Sequence, residues 1–259
     1  MARASSRPHL HSADLLRVLR ELDVGAAHDS RQDLAESLGQ WLEIADAIAV
    51  SAALHPRAAQ SLAGQETGQE AGPPAGDALV QDYLRVQNAL DTLIRKSCSG
   101  KPGEARLQFP SPAVGVASEL AAFYTPFHRF YLAVQREMDA QITPLRVLAR
   151  QALAQASPRL KPLALLDAAL EHAIGDRERR LLGNLPLLLE QRFVYLLQNY
   201  LQGLAEGGQA DQPEAWLQPG GWLAVFRDDL QRTLLAELAL RLLPVAGIKD
   251  VISNEVVSH

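Results

Sequence analysis

The amino-acid sequence predicts an all-α protein, a multi-helix antiparallel bundle of about seven to eight helices joined by flexible linkers. Hydrophobic residues make up 47% of the 259 residues, which is enough for a large buried core. Leu and Ala dominate while β-branched residues are sparse, and this balance favours helices over strands. Apolar residues recur at intervals of three and four, and no segment alternates as a half-buried strand would.

The charge and the cysteine content of the chain exclude some classes of function. The net charge is −5, which argues against a nucleic-acid binder because such a protein needs a basic face to neutralise phosphates. Nearly all cationic side chains are arginines, which form bidentate contacts with carboxylates. The single cysteine, Cys98, precludes an intrachain disulfide and fits a reducing compartment.

The sequence contains no apparent membrane or secretion signal. The first residues lack the uninterrupted apolar region of a signal peptide. The Leu-rich run "LLAELALRLLPVAGI" is interrupted by Glu237, Arg241 and Pro244, and it is too short and too charged to span a bilayer. We therefore expect a soluble cytoplasmic protein without direct membrane insertion and without a cofactor.

Residues 1–57 are predicted to form an N-terminal helical hairpin. Ser12 caps the first helix and Ser30 the second, with Asp33 completing a capping-box-like pattern. The expected buried positions are Leu15, Leu16, Leu19 and Leu22 in the first helix and Leu34, Leu38, Trp41, Ile44, Ile48 and Ala52 in the second. Residues 58–78 are rich in Gly, Pro and Gln and predict a flexible linker. The main helical bundle then covers 79–259, either separate from 12–57 or packed with it as one domain.

The first half of the main bundle is predicted to hold two helices. The inward residues of the first, at about 77–97, are Val80, Tyr83, Leu84, Leu90, Leu93 and Ile94. Thr125 and Pro126 are typical of a second helix start. Its stripe comprises Phe127, Phe130, Val134, Met138, Ile142, Leu145, Ala149 and Leu153. Pro144 predicts a kink or break within it.

The second half is predicted to hold three more helices. Ser157 and Pro158 start the first of them, with Leu163, Leu166, Leu170 and Ile174 inward. The next follows Gly175, and Pro186 interrupts its stripe of Leu182, Leu185, Leu189, Phe193, Leu196, Tyr200 and Leu204. The last carries Leu223, Phe226, Leu230, Leu234, Leu238 and Leu242. Pro244 is expected to end it, leaving a short amphipathic tail at 245–257.

Two sets of side chains are candidates for binding a protein partner. A row of four arginines, Arg129, Arg136, Arg146 and Arg150, could clamp an acidic helix, although such rows usually only solvate a helix. Phe123, Tyr124 and Tyr131, with Phe127 and Phe130, could line a partner groove. The alternative for these aromatic residues is a core anchor at the end of the bundle.

Metal or acid–base chemistry has one weak candidate cluster, formed by Asp167, Glu171, His172 and Glu178. The sequence has no His-Glu-x-x-His motif and no repeated Glu-x-x-His pair. Glu171 and His172 are adjacent, so they point about 100° apart on a helix. A helix-turn-helix reading of "RQDLAESLG" fails because no basic recognition helix follows.

Several stretches together resemble a known family: "DSRQDLAESLGQWLEIADAIAVSAAL", "FHRFYLAVQREMDAQITPLRVLAR", "LALLDAALEHAIGDRERRLLGNLPLLLEQRF" and "LLAELALRLLPVAGI". The chain resembles an uncharacterised proteobacterial family, a domain of unknown function whose members are often encoded beside envelope proteins with MotA/ExbB-like and OmpA-like domains. The resemblance covers most of the chain outside the linkers. It implies a cytoplasmic accessory to an inner-membrane, ion-driven complex and assigns no catalytic residues.

The sequence thus predicts a non-enzymatic helical interaction or scaffold protein. Its expected partner is another protein, such as a subunit of a membrane complex, and Leu-rich stripes are also compatible with a homo-oligomer. The alternative is a small-molecule- or metal-binding helical bundle with enzymatic activity.

Overall fold

A computed structural model describes Leu15, Arg17, Val18 and residues 75–99, 106–111, 120–207 and 210–257. These residues form five α-helices: α1 (Ala75–Cys98), α2 (Leu120–Ala156), α3 (Lys161–Gly183), α4 (Leu185–Gly207) and α5 (Trp222–Val257). Two 3-10 turns, Pro158–Leu160 and Pro213–Ala215, precede α3 and α5. The described part of the chain contains no strand, so the all-α prediction is confirmed. Of the other predicted helices, most of the N-terminal hairpin lies outside the described residues, and the tail at 245–257 is part of α5.

The two longest helices, α2 and α5, form the centre of the bundle. α5 packs against α1, α2 and α4, and α2 packs against all four other helices. α3 differs from the rest because its contacts are mainly with α2 and, to a lesser extent, with α4. Leu15 and Val18 are helical and buried in the same core, as predicted for Leu15. The rest of the N-terminal hairpin is not among the described residues.

The predicted apolar stripes of α2 and α5 are confirmed. All eight predicted positions of α2 and all six of α5 are buried. The spacing of three and four places these side chains on one face of each helix. That face is the core of the bundle.

Pro126 and Pro244 do not act as predicted. Pro126 lies inside α2, which begins at Leu120. The helix continues through Pro144 without a break, and a kink there stays a prediction. Pro244 lies inside α5, which continues to Val257. A proline inside a helix costs about 3 kcal/mol. Buried residues on both sides of each proline, such as Leu242 and Val245 around Pro244, offset this cost.

The boundary between α3 and α4 is also later than predicted. α3 runs through Gly175 to Gly183, and the chain restarts as α4 at Leu185. Asn184 caps α3 with its backbone N–H, which donates to the carbonyls of Leu181 and Leu182. Ser157 caps the 3-10 turn before α3, because its side chain accepts a hydrogen bond from the Arg159 amide, and α3 itself begins four residues later at Lys161.

Two of the predicted inward residues whose burial the structure describes are exposed. Leu84 of α1 is 43% exposed, and Leu79 and Val86 are buried on this helix instead. Leu166 of α3 is 39% exposed. α1 also begins at Ala75, so the last residues of the predicted linker 58–78 are helical.

A tight turn connects the second 3-10 turn to α5. Gly220 has a φ of 85°, a left-handed conformation that favours glycine. A Cβ atom on Gly221 would collide with the carbonyl groups of Ala215 and Trp216. The two glycines therefore let Trp216 fold back against the start of α5, where its carbonyl accepts a hydrogen bond from the Ala224 amide at 3.0 Å.

Candidate functional site

The inward face of α3 carries more charge than that of an ordinary surface helix. Asp167, Glu171 and Glu178 are spaced by four and seven, so they fall on one face. That face is turned towards the bundle, because Asp167 and Glu171 contact arginines of α2. Leu165 is 72% exposed on the outward side. Surface helices normally turn apolar residues inward and charges outward.

Two arginines of α2 hold the carboxylates of α3. Arg146 donates from Nη2 to Asp167 Oδ1 at 2.8 Å and from Nε to Oδ2 at 3.2 Å, which is the bidentate geometry typical of this pair. Arg150 donates to Asp167 Oδ2 at 3.2 Å and also to Glu171. We call Arg146, Arg150, Asp167 and Glu171 the charged seam. It fastens α3 to α2.

The charged seam lies at the edge of the bundle, where water still reaches part of it. The side chain of Glu171 is 33% exposed, against 18% for Arg150. Burial lowers the pKa of Arg150, but its hydrogen bond to Glu171 and the charges of Glu171 and Asp167 raise that pKa above its ordinary value. The guanidinium therefore stays charged.

A second polar group lies inside the core between α2 and α5. Glu237 of α5 is 0% exposed. Its carboxylate accepts hydrogen bonds from Tyr131 Oη at 2.6 Å and Gln135 Nε2 at 2.9 Å, and from Arg241 Nε at 2.8 Å. We call Tyr131, Gln135, Glu237 and Arg241 the buried network. Buried carboxylates are tolerated when paired and hydrogen-bonded in this way.

The environment of the buried network fixes its protonation states. Burial, together with the Glu237 charge, raises the pKa of Tyr131 well above its ordinary value, so the phenol remains a donor. Burial lowers the pKa of Arg241, but the charges of Glu237 and Asp139 outweigh this effect and raise it. Arg241 also forms an ion pair with Asp139 at the surface of α2.

Glu178 lies between the charged seam and the buried network. Burial raises the pKa of this half-buried carboxyl, and the charges of Arg241 and Arg146 oppose the rise. Gln135 makes a further link, because its Nε2 donates to the Leu182 carbonyl of α3 at 3.4 Å. Charged and polar groups therefore run from the edge of α3 into the centre of the bundle.

The predicted row of four arginines divides into two pairs. Arg146 and Arg150 are half-buried in the charged seam. Arg129 and Arg136 are exposed on the outer face of α2. Within the described part of the chain, none of the recorded ion pairs involves Arg129 or Arg136. Partner binding by these two arginines stays a prediction.

The three predicted aromatic residues lie in the core. Phe123 packs on Phe193 with a centroid distance of 5.5 Å, and the Tyr124 hydroxyl donates to the Pro186 carbonyl at 2.6 Å. Tyr131 is part of the buried network. These positions fit the core-anchor interpretation, because all three side chains are buried.

The predicted metal candidates are not brought together as one ligand set. Asp167 and Glu171 are occupied by Arg146 and Arg150, while His172 is exposed. Glu178 lies further along the inner face. Over the described ranges, no group of three or more His, Cys, Asp or Glu side chains is arranged to hold a metal ion.

Sequence reasoning missed Gln135, Glu237 and Arg241 as structural partners. The available signal was the spacing of four between Glu237 and Arg241 within an otherwise Leu-rich run. A second missed group is Asp229, a buried residue of α5. It accepts a hydrogen bond from Arg192 Nε of α4 at 2.8 Å and also pairs with Arg232.

Comparison with protein families gives one result for the whole chain. A family model described as "Protein of unknown function (DUF3348)" matches residues 1–254. The chain belongs to the DUF3348 family. No curated protein and no solved structure matches this DUF3348 chain. Among the helices described for the DUF3348 chain, none is long and apolar enough to cross a membrane.

In this DUF3348 chain the charged seam and the buried network both hold helices of the bundle together. Each carboxylate of the charged seam is occupied by a guanidinium group, and the Glu237 carboxylate is occupied by three donors. The seam turns Asp167 and Glu171 inward, while Leu165 and Leu166 are exposed. The candidate functional surface is therefore the outer side of α3.

Proposed function

We propose that this protein is a non-enzymatic helical interaction protein that docks a partner helix on the outer side of α3. The docking face comprises Leu165, Ala168, Ala169 and His172, all of which are exposed. Their spacing places them together on one side of the helix. The observation that carries the proposal is the exposure of Leu165 beside the inward-turned Asp167.

The energetics of the docking face support this function. Full burial of a leucine side chain stabilises a complex by about 1.5–3 kcal/mol, and Leu165 is 72% exposed in the free chain. Ala168 and Ala169 are small, so another helix could approach α3 closely. The neighbouring acids, Asp167 and Glu171, are held away by the charged seam, so a partner would not have to desolvate them.

The partner expected from the docking face is a helix whose residues opposite Leu165 and the two alanines are uncharged. Arg129 and Arg136 are seven residues apart on the exposed side of α2, and they are candidates for a second contact with acidic groups of a partner. The resemblance to proteins encoded beside MotA/ExbB-like and OmpA-like envelope proteins supports a cytoplasmic accessory of an inner-membrane complex.

The test is site-specific photo-crosslinking in cells, with a photoreactive amino acid in place of Leu165. The matched control has the same amino acid in place of Leu187 of α4, which is 55% exposed. We expect a discrete protein adduct at position 165 and none at 187, because docking is confined to α3. The absence of any adduct at 165, or equal adducts at both positions, would contradict the proposal.

A charge-reversal variant tests the contribution of α2. Arg129→Glu combined with Arg136→Glu should reduce the yield of the adduct at position 165 if the partner is acidic. Both side chains are exposed, so the fold should be retained, which circular dichroism would verify. An unchanged adduct yield would show that Arg129 and Arg136 do not belong to the docking surface, which would then consist of α3 alone.

A further inference from the structure

The docking face of α3 continues into two exposed charges of opposite sign, one at each end. Lys161, Leu165, Ala168, His172 and Asp176 follow one another at intervals of four, three, four and four, and all five are exposed. This spacing keeps them on one side of the helix. At 1.5 Å per residue the stripe is about 22 Å long. It begins with a cation, ends with an anion and is uncharged between them when His172 is neutral.

We propose that the partner helix on this face is α3 of a second copy of the chain, packed antiparallel. This inference rests on the proposed docking function and names its partner. A two-fold axis between Ala168 and Ala169 would place each Lys161 opposite Asp176 of the other copy. It would place Leu165 opposite His172 and the two small alanines at the centre. The stripe is therefore complementary to itself in charge, and the small alanines let the two helices approach closely at the centre.

The charges determine the direction of pairing. A parallel pair in register would bring Lys161 against Lys161 and Asp176 against Asp176, which is unfavourable at both ends. The antiparallel pair makes two opposite-charge contacts instead. Asp176 is ion-paired with Arg179 in the free chain. Both side chains of that pair are largely exposed, so exchanging or sharing this contact costs little.

The same geometry sets the strength of the dimer. A single pair of helices about 22 Å long buries less surface than the roughly 1,200 Å² of a typical stable interface. The monomer and dimer are therefore expected to interconvert with protein concentration. Leu165 contributes most of the newly buried apolar surface because it is the most exposed large hydrophobic residue among those described.

Sedimentation of the purified full chain tests the pairing. The unmodified chain should shift from monomer to dimer with rising concentration, up to roughly 200 µM for so small an interface. Lys161→Asp and Asp176→Lys should each weaken self-association by about tenfold or more, because each dimer exchanges two attractive contacts for two repulsive ones.

Mixing the two charge variants gives the decisive result. The Lys161→Asp copy carries an acidic side chain at both ends of its stripe, and the Asp176→Lys copy carries a basic side chain at both ends. In a mixed antiparallel dimer both end contacts are therefore attractive again, so the mixture should dimerise about as strongly as the unmodified chain. Two further variants serve as controls. Leu165→Glu should abolish dimerisation because Leu165 lies on the stripe, whereas Leu187→Glu should not affect it because Leu187 lies on α4.

Two outcomes would overturn the inference. One is an unmodified chain that stays monomeric at every concentration, and the other is a mixture that associates no better than the separate variants. The crosslinking experiment separates these failures from failure of the proposed function. Suppose that position 165 crosslinks to a different protein and that the purified chain stays monomeric in sedimentation. The docking function would then stand, and self-pairing would be excluded. The absence of every adduct at 165 removes the docking function itself.

Discussion

The contact between α2 and α5 and the contact between α2 and α3 both contain arginine–carboxylate pairs, but they differ in depth. Glu237 of α5 is 0% exposed and is surrounded by the leucines of the core. Asp167 and Glu171 of α3 lie at the edge of the bundle, where their side chains keep part of their exposure to water. Tyr131 and Gln135 of α2 therefore bind a buried carboxylate of α5, whereas Arg146 and Arg150 of α2 bind carboxylates of α3 at the edge.

This difference shows that burial, more than the number of ion pairs, determines what a charge contributes. Removing one partner inside a core leaves the other charge without water, which costs several kcal/mol. Near the surface, water replaces the missing partner and the cost is small. We therefore expect the buried carboxylate between α2 and α5 to contribute more to stability than the carboxylates between α2 and α3.

The largest effect is expected for Glu237→Ala. This change leaves Arg241 as a buried cation with one carboxylate fewer, and it removes the acceptor of the Tyr131 hydroxyl. The free energy of unfolding should fall by about 3–5 kcal/mol, measured by urea denaturation. Asp139→Ala is the control, because Asp139 is the exposed partner of Arg241 and its loss should cost less than about 1 kcal/mol. Equal losses in the free energy of unfolding from both changes would show that the burial of the carboxylate does not determine its contribution.

The next effect is expected for Tyr131→Phe. The side chain keeps its volume but no longer donates to Glu237, and an unsatisfied buried acceptor costs about 1–3 kcal/mol. The loss should largely disappear in a Glu237→Ala background, because the two groups form one network. Full additivity in this double-mutant cycle would refute coupling between α2 and α5 through these groups.

A smaller effect is expected for Asp167→Ala in the charged seam. Arg146 and Arg150 lose a shared acceptor, but Glu171 remains as an ion-pair partner of both. The free energy of unfolding should fall by about 1–2 kcal/mol, and hydrogen exchange should accelerate selectively in the amides of α3. If the free energy of unfolding fell as much as for Glu237→Ala, the contact between α2 and α3 would not differ in strength from that between α2 and α5.

The smallest effect is expected for the pH dependence of Glu178→Gln. Burial raises the pKa of Glu178 in the folded chain, so the folded state binds more protons than the unfolded state near that pKa. The contribution of Glu178 to stability is therefore present at low pH and is lost as the pH rises through the raised pKa. The Gln variant lacks this decline, so its stability relative to the parent chain should increase with pH in urea titrations. A relative stability that falls with pH would mean that Arg241 and Arg146 outweigh burial.

The apolar stripes of α2 and α5 could be predicted from sequence because each continues for many turns with one dominant spacing. The polarity of α3 could not be predicted in the same way. Leu163, Leu166 and Leu170 have helical spacing, yet Leu166 is exposed. The competing stripe of Asp167, Glu171 and Glu178 has equally good spacing, and only the arginines of α2 make it the inner one. That information lies about twenty residues away along the chain.

The prolines show a second limit of local reasoning. Pro126, Pro144 and Pro244 each predict a helix start, kink or end from rules that consider only the neighbouring residues. In the folded chain, α2 and α5 pass through them because core residues continue on both sides. Pro186 agrees with prediction because it lies in the first turn of α4, where a missing amide hydrogen has no helical acceptor to lose.

The packing of Trp216 on Trp222 provides an optical reporter of one corner of the bundle. The two indole rings are 5.6 Å apart, and both are buried against Phe123 of α2. Their fluorescence should respond when the turn through Gly220 opens, independently of the helical signal that all five helices share. Trp41 is the third tryptophan of the chain, so a Trp41→Phe variant would confine the emission to this corner. The fluorescence of this variant would then report structural changes at the junction of α4 and α5 separately from the unfolding of the whole protein.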